Sequence, residues 1–197
     1  MTQTLADNES FTRHRHRLLE GMAHAVAEKG YAETTIADIV RAAAVSRRTF
    51  YEHFATKSAC LIALYEAASH GALKVLRDAL GPDRDWQDQV EQAMVAYFEC
   101  LARNPALVRT LFIEILGLGA EGLAARRRVN DEIVDFMLLV INRSRGRRPL
   151  PREMAMAIVG GVNELVLNAI ETGQVERLRE LAIPAVQLIR AVTQDRA

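Results

Sequence analysis

Basic and hydroxyl-bearing side chains are concentrated in one short stretch of a chain that is otherwise electrically balanced. Between residues 41 and 57 there are four Lys or Arg residues against Glu52 alone, a local charge of +3, whereas the 197-residue chain has 25 charges of each sign. Arginine pairs with guanine through two hydrogen bonds, and tyrosine and other hydroxyls suit phosphate oxygens. This chemistry is that of contact with nucleic acid. The candidate contact residues are Thr35, Ser46, Arg47, Arg48, Thr49, Tyr51, His53 and Lys57.

A second motif, Gly117–Gly122, fits the glycine pattern G-x-G-x-x-G of dinucleotide-binding loops. That chemistry requires a strand before the glycines, a helix after them and a parallel sheet. The apolar run before Gly117 instead continues from a helix that begins at Asn104-Pro105, so we interpret the glycines as a loop between helices. A nucleotide-binding enzyme is the alternative from a different class. No zinc-protease, nucleophile-elbow or phosphate-loop pattern occurs, so we expect no enzyme, no catalytic residues, no metal ligands and no cofactor.

Cysteine usage and hydropathy bear on the cellular compartment. Cys60 and Cys100 are the only cysteines and lie forty residues apart, which disfavours a disulfide framework and a structural zinc site. Residues 1–10 are polar and lack the apolar core of a signal peptide. Charged residues interrupt each long apolar run, so we expect a cytoplasmic protein with no membrane span.

Helices are expected to carry the basic stretch. The chain has five prolines and eleven glycines, long runs of good helix formers and no alternating strand pattern, so we predict an all-α fold. Thr35 and Asp38 form the capping box expected at the start of the second helix, and Ser46 is expected to cap the third. The first three helices are predicted over residues 12–29, 35–44 and 47–54. Two short helices joined by a tight turn and supported by a preceding helix form a helix-turn-helix arrangement, whose second helix reads DNA.

The rest of the chain is predicted to be a larger helical body. Pro184 should kink its last helix or start a new turn there. Gly81-Pro82, the glycine loop and a basic loop over residues 143–151 separate the other helices. The predicted helices, which bring the total to about nine, cover residues 57–80, 86–103, 104–116, 123–142, 152–172 and 175–193.

The stretch from Thr35 to Leu61 reads TIADIVRAAAVSRRTFYEHFATKSACL and resembles the DNA-binding segment of TetR-family transcriptional regulators. Its most specific part is the Phe-Tyr-x-His-Phe-x-x-Lys run over residues 50–57. The resemblance covers about the first 65 residues by motif, and the remainder by helix number and length. One departure is Ala44, where the family usually has glycine, and a positive φ at this alanine would cost a modest amount of strain.

The resemblance implies a homodimer whose N-terminal helix-turn-helix domains, residues 1–56, bind the two half-sites of a pseudo-palindromic, double-stranded DNA operator. Residues 57–197 are then an effector-binding and dimerisation domain that releases DNA when a small, mostly apolar molecule binds. Repression is the family's usual mode, although an activator would have the same residues. A helical module that binds protein is a third hypothesis. The Arg13–Arg17 run is either a solvated stretch or an arm that reaches DNA.

An effector site among helices should be mostly apolar, with a few converging polar groups. Asn163 and Glu164 interrupt the most apolar helix, so they face either this pocket or a dimer seam. The expected wall residues are Trp86, Met94, Tyr97, Phe98, Phe112, Phe136 and Met137. The polar candidates are Glu114, Asn163, Glu164 and Asn168.

The dimer seam is expected in the last two helices, over residues 152–193, because they are more apolar than one subunit of this size needs. Ala157, Gly160 and Gly161 allow close approach of helices, and Ile189 belongs to a second apolar stripe. A four-helix interface between two copies would bury both helices.

Overall fold

A computed structural model describes residues 2–81, 86–142 and 149–193, with side chains from residue 9 onward in these ranges except that of Trp86. This part of the chain consists of nine α-helices and three short helical segments and contains no strand, which confirms the predicted all-α fold. Helices α1 to α4 are Thr2–Glu33, Ile36–Ala43, Arg47–His53 and Lys57–Ala79. Helices α5 to α9 are Trp86–Ala102, Pro105–Arg109, Ala120–Ile141, Arg152–Glu171 and Ala182–Thr193. The short segments are the π turn Thr110–Glu114 and the 3-10 turns Leu116–Leu118 and Val175–Leu181.

Two predicted helices are divided in the structure. The helix expected over residues 104–116 begins as predicted, with Asn104 as cap and Pro105 in the first turn, but α6 ends at Arg109 and the π turn follows. The last predicted helix is divided into a 3-10 stretch and α9. Pro184 lies in the first turn of α9 rather than at a kink, because a helix tolerates proline where its amide would have no partner.

The first core cluster joins α1, α2, α3 and the start of α4. Phe50 of α3 is fully buried in this cluster with Leu18, Ile39 and Leu61. Gly21 allows α1 and α2 to touch, because a Cβ there would lie 2.6 Å from the Ile39 carbonyl oxygen. Because the Phe50 ring is buried in this cluster, the opposite face of α3 is directed to the solvent.

α1 bends near its C-terminal end at Gly30, whose φ of 78° lies in the left-handed region that favours glycine. The Thr34 hydroxyl donates to the Gly30 carbonyl at 2.7 Å and to the Ala25 carbonyl at 3.2 Å. These bonds hold the bend, which brings the end of α1 next to the first turn of α4.

The larger core cluster packs α4, α5, α7, α8 and α9 around residues such as Phe98, Val166 and Leu178. α4 belongs to both clusters, since Leu61 is buried in the first and Leu73 in the second. It therefore joins the α3 side of the molecule to the larger body. By length and composition alone, α4 and α8 could cross a membrane, but core helices pass the same test, so this is weak evidence.

Candidate nucleic-acid interface and internal cavities

The start of α2 is held by a network centred on the Asp38 carboxylate. The Thr35 hydroxyl accepts from the Asp38 amide at 3.2 Å and the carboxylate accepts from the Thr35 amide at 2.9 Å, which confirms the predicted capping box. Lys29 at 2.6 Å and Arg41 at 2.7 Å donate to the same carboxylate. The bond from Lys29, and then those from Thr35, hold the pKa of Asp38 below its usual range. The network therefore ties α2 to the end of α1.

The turn between α2 and α3 is made without glycine. Ala44 has φ and ψ of 48° and 49°, the left-handed conformation in which a non-glycine residue is strained. Its carbonyl accepts a 2.8 Å bond from the Arg17 guanidinium of α1. Ser46 then caps α3 as predicted, accepting from the Thr49 amide at 3.0 Å. These contacts fix the path of the turn and hence the direction of α3.

The outer face of α3 presents most of the side chains expected to contact DNA. Phe50 points inward, whereas Tyr51 is 55% exposed. Arg47 and Arg48 are also exposed, and Arg48 Nε donates to Glu52 at 3.0 Å. Because the Arg48 side chain is 89% exposed, this ion pair is weak and exchangeable for another anion. An anchored helix with two exposed guanidinium groups and a phenol has the composition of a DNA-reading helix.

His53 lies at the edge of this face and packs against α1. Its ring packs against that of Phe11, with centroids 4.0 Å apart and planes tilted by 42°. Its Nδ1 is buried without a hydrogen-bond partner among the described residues. Burial, and then the charges of Arg15 and His14, lower the pKa of His53, so the imidazole is neutral at neutral pH. The sequence did not point to Phe11, because a single aromatic residue in a polar stretch has no periodic pattern around it.

Lys57 does not face outward from the start of α4, contrary to the expectation that it meets a phosphate. Its ammonium group donates to the carbonyls of Tyr31 at 2.8 Å and Thr34 at 2.7 Å, and lies 4.1 Å from the centre of the Tyr31 ring. Carbonyl groups at the end of a helix carry partial negative charge, so they stabilise this ammonium. Lys57 is therefore a positioning residue that joins α4 to the end of α1.

An apolar cavity lies in the larger body, between α4, α5, α7, α8 and α9. It encloses about 750 Å³ of empty space, a figure that includes the solvent at its open mouth. The only polar side chains among its described lining residues are Tyr97 and Asn163. The predicted pocket residues that line it are Met94, Tyr97, Phe136, Met137 and Asn163.

A second, more polar cavity of about 850 Å³, including its mouth, adjoins the first. Phe112, which the sequence predicts for the pocket wall, lines this polar cavity and not the apolar one. At the boundary, Asn163 Nδ2 donates to Asn130 Oδ1 at 3.4 Å. The residues that line both cavities are Leu76, Tyr97, Ile133 and Asn163. Further polar groups of the second cavity come from Tyr65, Ser69, Asn104, Arg126 and Asn130.

Phe98, Glu164 and Asn168 do not line these cavities, although the sequence predicts each of them for the pocket. Phe98 is fully buried in the larger core cluster. Glu164 and Asn168 are exposed on the outside of α8, because residues adjacent along a helix point about 100° apart and Asn163 is the one that faces inward. These three positions correct the predicted pocket. Trp86, also predicted for it, begins α5, and its side chain lies outside the described residues.

Glu114, also predicted for the pocket, links the π turn to the end of α1 instead. Its Oε2 accepts from the Tyr31 amide at 3.3 Å. Its neighbours Leu111 and Phe112 line the polar cavity. The π turn therefore contacts both the cavity and the helix on which α2 packs.

α8 and α9 have an outward face of small and apolar residues. Met154, Ala157 and Gly160 are exposed on α8, and a Cβ at Gly160 would meet no atom within 4 Å. Ile183 of α9 is 66% exposed. Ile189, expected in the dimer seam, is buried within the subunit, because it lines the apolar cavity.

The glycine motif lies in a helical connection. Gly117 is part of the 3-10 turn, and Gly122 is already within α7. A π turn and not a strand precedes them, and the described residues contain no sheet. The arrangement that a dinucleotide site requires is therefore not formed around these glycines.

Comparison with protein families identifies the N-terminal helices. Residues 18–64 match the model of the family described as bacterial regulatory proteins, tetR family. The matched segment extends from α1 to the first turns of α4 and so includes most of the first core cluster. Comparison with curated proteins gives no match.

Solved structures share the fold of nearly the whole chain. FadR from Bacillus halodurans, a fatty acid degradation regulator, is 19% identical with a TM-score of 0.77 over 93% of this chain and 97% of that chain. FadR from Bacillus subtilis, solved with stearoyl-CoA, is 17% identical with a TM-score of 0.75 over 92% and 99%. SmeT, the repressor of the Stenotrophomonas maltophilia multidrug efflux pump SmeDEF, is 21% identical with a TM-score of 0.72 over 92% and 91%. At these identities the likeness is one of fold.

Proposed function

Because this chain is a TetR-family transcriptional regulator, we propose that it is a homodimeric repressor that a small molecule releases from its operator. The observation that carries the proposal is the outer face of α3, where Arg47, Arg48 and Tyr51 project from a helix anchored by the buried Phe50. We divide the chain into a DNA-binding domain over residues 1–56 and an effector and dimerisation domain over the rest. Its site of action is the cytoplasm, where the operator DNA lies.

α3 enters the major groove of double-stranded DNA in this proposal. Arg47 and Arg48 reach base edges or phosphates, and Tyr51 donates to a phosphate oxygen. The hydroxyl groups of Thr35, Ser46 and Thr49 make further phosphate contacts. His53 and Lys57 hold α3 and α4 against α1, so their contribution to DNA binding is the position of the helix.

Two copies pair through the outward face of α8 and α9, within residues 152–193. Ala157 and Gly160 allow close approach of the helices, and Ile183 supplies apolar area whose burial is favourable by about 25 cal/mol per Å². Two-fold symmetry then directs the two α3 helices toward successive major grooves, about 34 Å apart. The operator is therefore pseudo-palindromic.

The effector in this proposal is a small, mostly apolar molecule held in the apolar cavity. The lining of the cavity supports this proposal because it is mostly apolar. Met94, Phe136 and Met137 are among its apolar residues, and two of its described side chains, Tyr97 and Asn163, are polar. One protein of similar fold was solved with stearoyl-CoA, a ligand with a long apolar chain.

Two connections transmit ligand binding to α3. α4 lines both cavities with Leu76 and holds the end of α1 with Lys57. The π turn lines the polar cavity with Phe112 and holds the same end of α1 with Glu114. A ligand that displaces either element moves α1, on which α2 packs. The separation of the two α3 helices then changes and DNA affinity falls.

The DNA-binding proposal is tested by selecting duplexes from a random-sequence pool with the full-length chain. We expect enrichment of a pseudo-palindrome whose half-sites are one helical turn or a multiple apart, about 34 Å per turn. Ile183→Asp should give monomers in light scattering and weaker DNA binding, because an unpaired charge is costly in an apolar seam. Val95→Asp on α5, where the side chain is 42% exposed, is the control and should remain dimeric. A pool without enrichment contradicts the proposal, and so does a wild type that is monomeric at micromolar concentration.

The effector site is tested separately with Nile red, a neutral apolar dye. Met94→Trp fills part of the apolar cavity and should weaken dye binding while leaving ligand-free DNA binding near normal. Val95→Trp, one residue further along α5 on the exposed side, should bind the dye as the wild type does. By linkage, any ligand that weakens DNA affinity must bind less tightly to the DNA complex by the same factor.

A further inference from the structure

The apolar and polar cavities are successive layers of the same helical body. Their four shared residues come one from each of four helices: Leu76 of α4, Tyr97 of α5, Ile133 of α7 and Asn163 of α8. On α5, residues before Tyr97 line the apolar cavity and residues after it line the polar one. The two cavities therefore meet at these four residues.

One stripe of α7 extends along both cavities and changes from polar to apolar. Arg126 and Asn130 line the polar cavity, whereas Met137 and Val140 line the apolar one. Residues 126 and 140 are fourteen helical rises apart, which is about 21 Å at about 1.5 Å per residue. An elongated ligand that lies along α7 therefore has one end at a guanidinium group and the other among hydrocarbon side chains.

Arg126 is half-buried, and no carboxylate in the described part of the chain pairs with it. Tyr65 also lines the polar cavity, and the positive charge of Arg126 acts on its pKa in the opposite direction to burial, which raises it. A partly buried charge without a partner is costly, and an anion in the cavity would remove that cost. Three acidic residues of α7 and α4 bind other side chains: Glu66 binds Arg128, Asp131 binds Arg152 and Glu132 binds His70.

We infer that the two cavities together hold one amphipathic ligand, an acyl chain in the apolar cavity with an anionic group against Arg126. Tyr97, Asn130 and Asn163 lie at the junction, where the head of the ligand meets its chain. The anion is either the carboxylate of a free fatty acid or the phosphates of an acyl thioester of coenzyme A. This inference rests on the proposed effector site and is independent of DNA binding.

Calorimetric titration of the DNA-free, full-length chain with dodecanoate, dodecanol and dodecanoyl-CoA tests the inference. Dodecanoate should bind the wild type more tightly than dodecanol does. Arg126→Met should weaken binding of the anionic ligand roughly 10- to 100-fold, as expected when a charge-assisted hydrogen bond is removed, and leave dodecanol unchanged. Arg127→Met is the matched control, because Arg127 is exposed at the next position of α7 and lines neither cavity. It should bind all three ligands as the wild type does.

Alkylation of Cys100 gives a second measure of ligand binding, because this free cysteine lines the polar cavity. Bound dodecanoate should slow alkylation of Cys100 in the wild type and have little effect in Arg126→Met. Arg126→Lys, which keeps the positive charge, should restore part of the anion affinity, and circular dichroism melts of all variants establish that each is folded.

Several results would overturn the inference. Binding of both dodecanoate and dodecanol with equal affinity is one, and an equal loss of anion affinity in Arg126→Met and Arg127→Met is another. Failure of both anions to bind the folded wild type is a third. Binding of the thioester alone, if it depends on Arg126, assigns the anion to the carrier phosphates and supports the inference. Because DNA is absent, failure here is distinguishable from failure of the repressor proposal.

Discussion

Replacing Lys57 by methionine should destabilise the N-terminal helices while leaving the DNA-contact face of α3 unchanged. The ammonium group donates bonds of 2.8 and 2.7 Å to the carbonyls of Tyr31 and Thr34. Hydrogen bonds to charged groups are worth about 1.5–3 kcal/mol each, and the lower value applies because the site is partly exposed. Loss of both bonds therefore lowers the free energy of unfolding by about 3 kcal/mol. In a chain of this size, that loss lowers the midpoint of thermal unfolding by roughly 6 to 12 °C.

Lys74→Met on the same helix is the matched control, since Lys74 forms a surface pair with Asp78 and its side chain is 73% exposed. Its effect should stay below about 0.5 kcal/mol. Circular dichroism melts measure both variants, and fluorescence anisotropy measures DNA binding at a temperature where both are folded. Lys57→Met should keep the wild-type slope of log affinity against log salt concentration. A normal melt together with a slope smaller by about one would show that Lys57 neutralises a phosphate and refute the positioning role.

Three further changes test the structure of the DNA-binding helices and the cysteines. Ala44→Gly should raise the free energy of unfolding by about 0.5–1 kcal/mol in urea denaturation, because it removes left-handed strain at a smaller entropic cost; a loss of stability would contradict the turn geometry. The pKa of Asp38 is lower in the folded chain than in the unfolded one. Its ionised form therefore stabilises the fold at pH values above the unfolded pKa of about 4. This stabilisation is lost as the pH falls from there toward the pKa of the folded state. Asp38→Asn should therefore be less stable than the wild type at neutral pH, with a difference that shrinks below about pH 4; a difference independent of pH would contradict this. Burial raises the pKa of the Cys60 thiol to about 12. Iodoacetamide should therefore label Cys100 but not Cys60 in the native protein at neutral pH. Rapid labelling of both cysteines would contradict this by showing that Cys60 is accessible.

Local sequence signals predicted the helices that carry the proposed DNA-contact face. The capping box at Thr35 and the cap at Ser46 both form, because each depends on a side chain and an amide three residues apart. Phe50 and Phe54, one helical turn apart in the sequence, are both buried. The turn at Ala44 adopts the positive φ on which its expected strain depends.

Long-range contacts explain what the sequence did not reveal. Lys57 binds carbonyl groups 26 and 23 residues earlier, and Glu114 binds an amide 83 residues away. No periodic pattern connects such positions, so both residues were assigned from their chemistry alone. Arg126 was not predicted for the pocket, because a run of three arginines is more typical of a solvated helix face. Its place beside a cavity depends on how α7 packs against α4 and α5.

The salt dependence of DNA binding is the most direct test of α3 as the DNA-reading helix. The measurement compares the wild type with the Arg47→Ala, Arg48→Ala double variant on the same selected duplex. We predict that the double variant binds DNA more weakly. The slope of its log affinity against log salt concentration should be smaller by about one for each phosphate that it no longer neutralises. Its midpoint of thermal unfolding should be nearly unchanged, because both side chains are exposed. Equal affinity and equal slope in the folded double variant would contradict the claim that this chain binds DNA through α3.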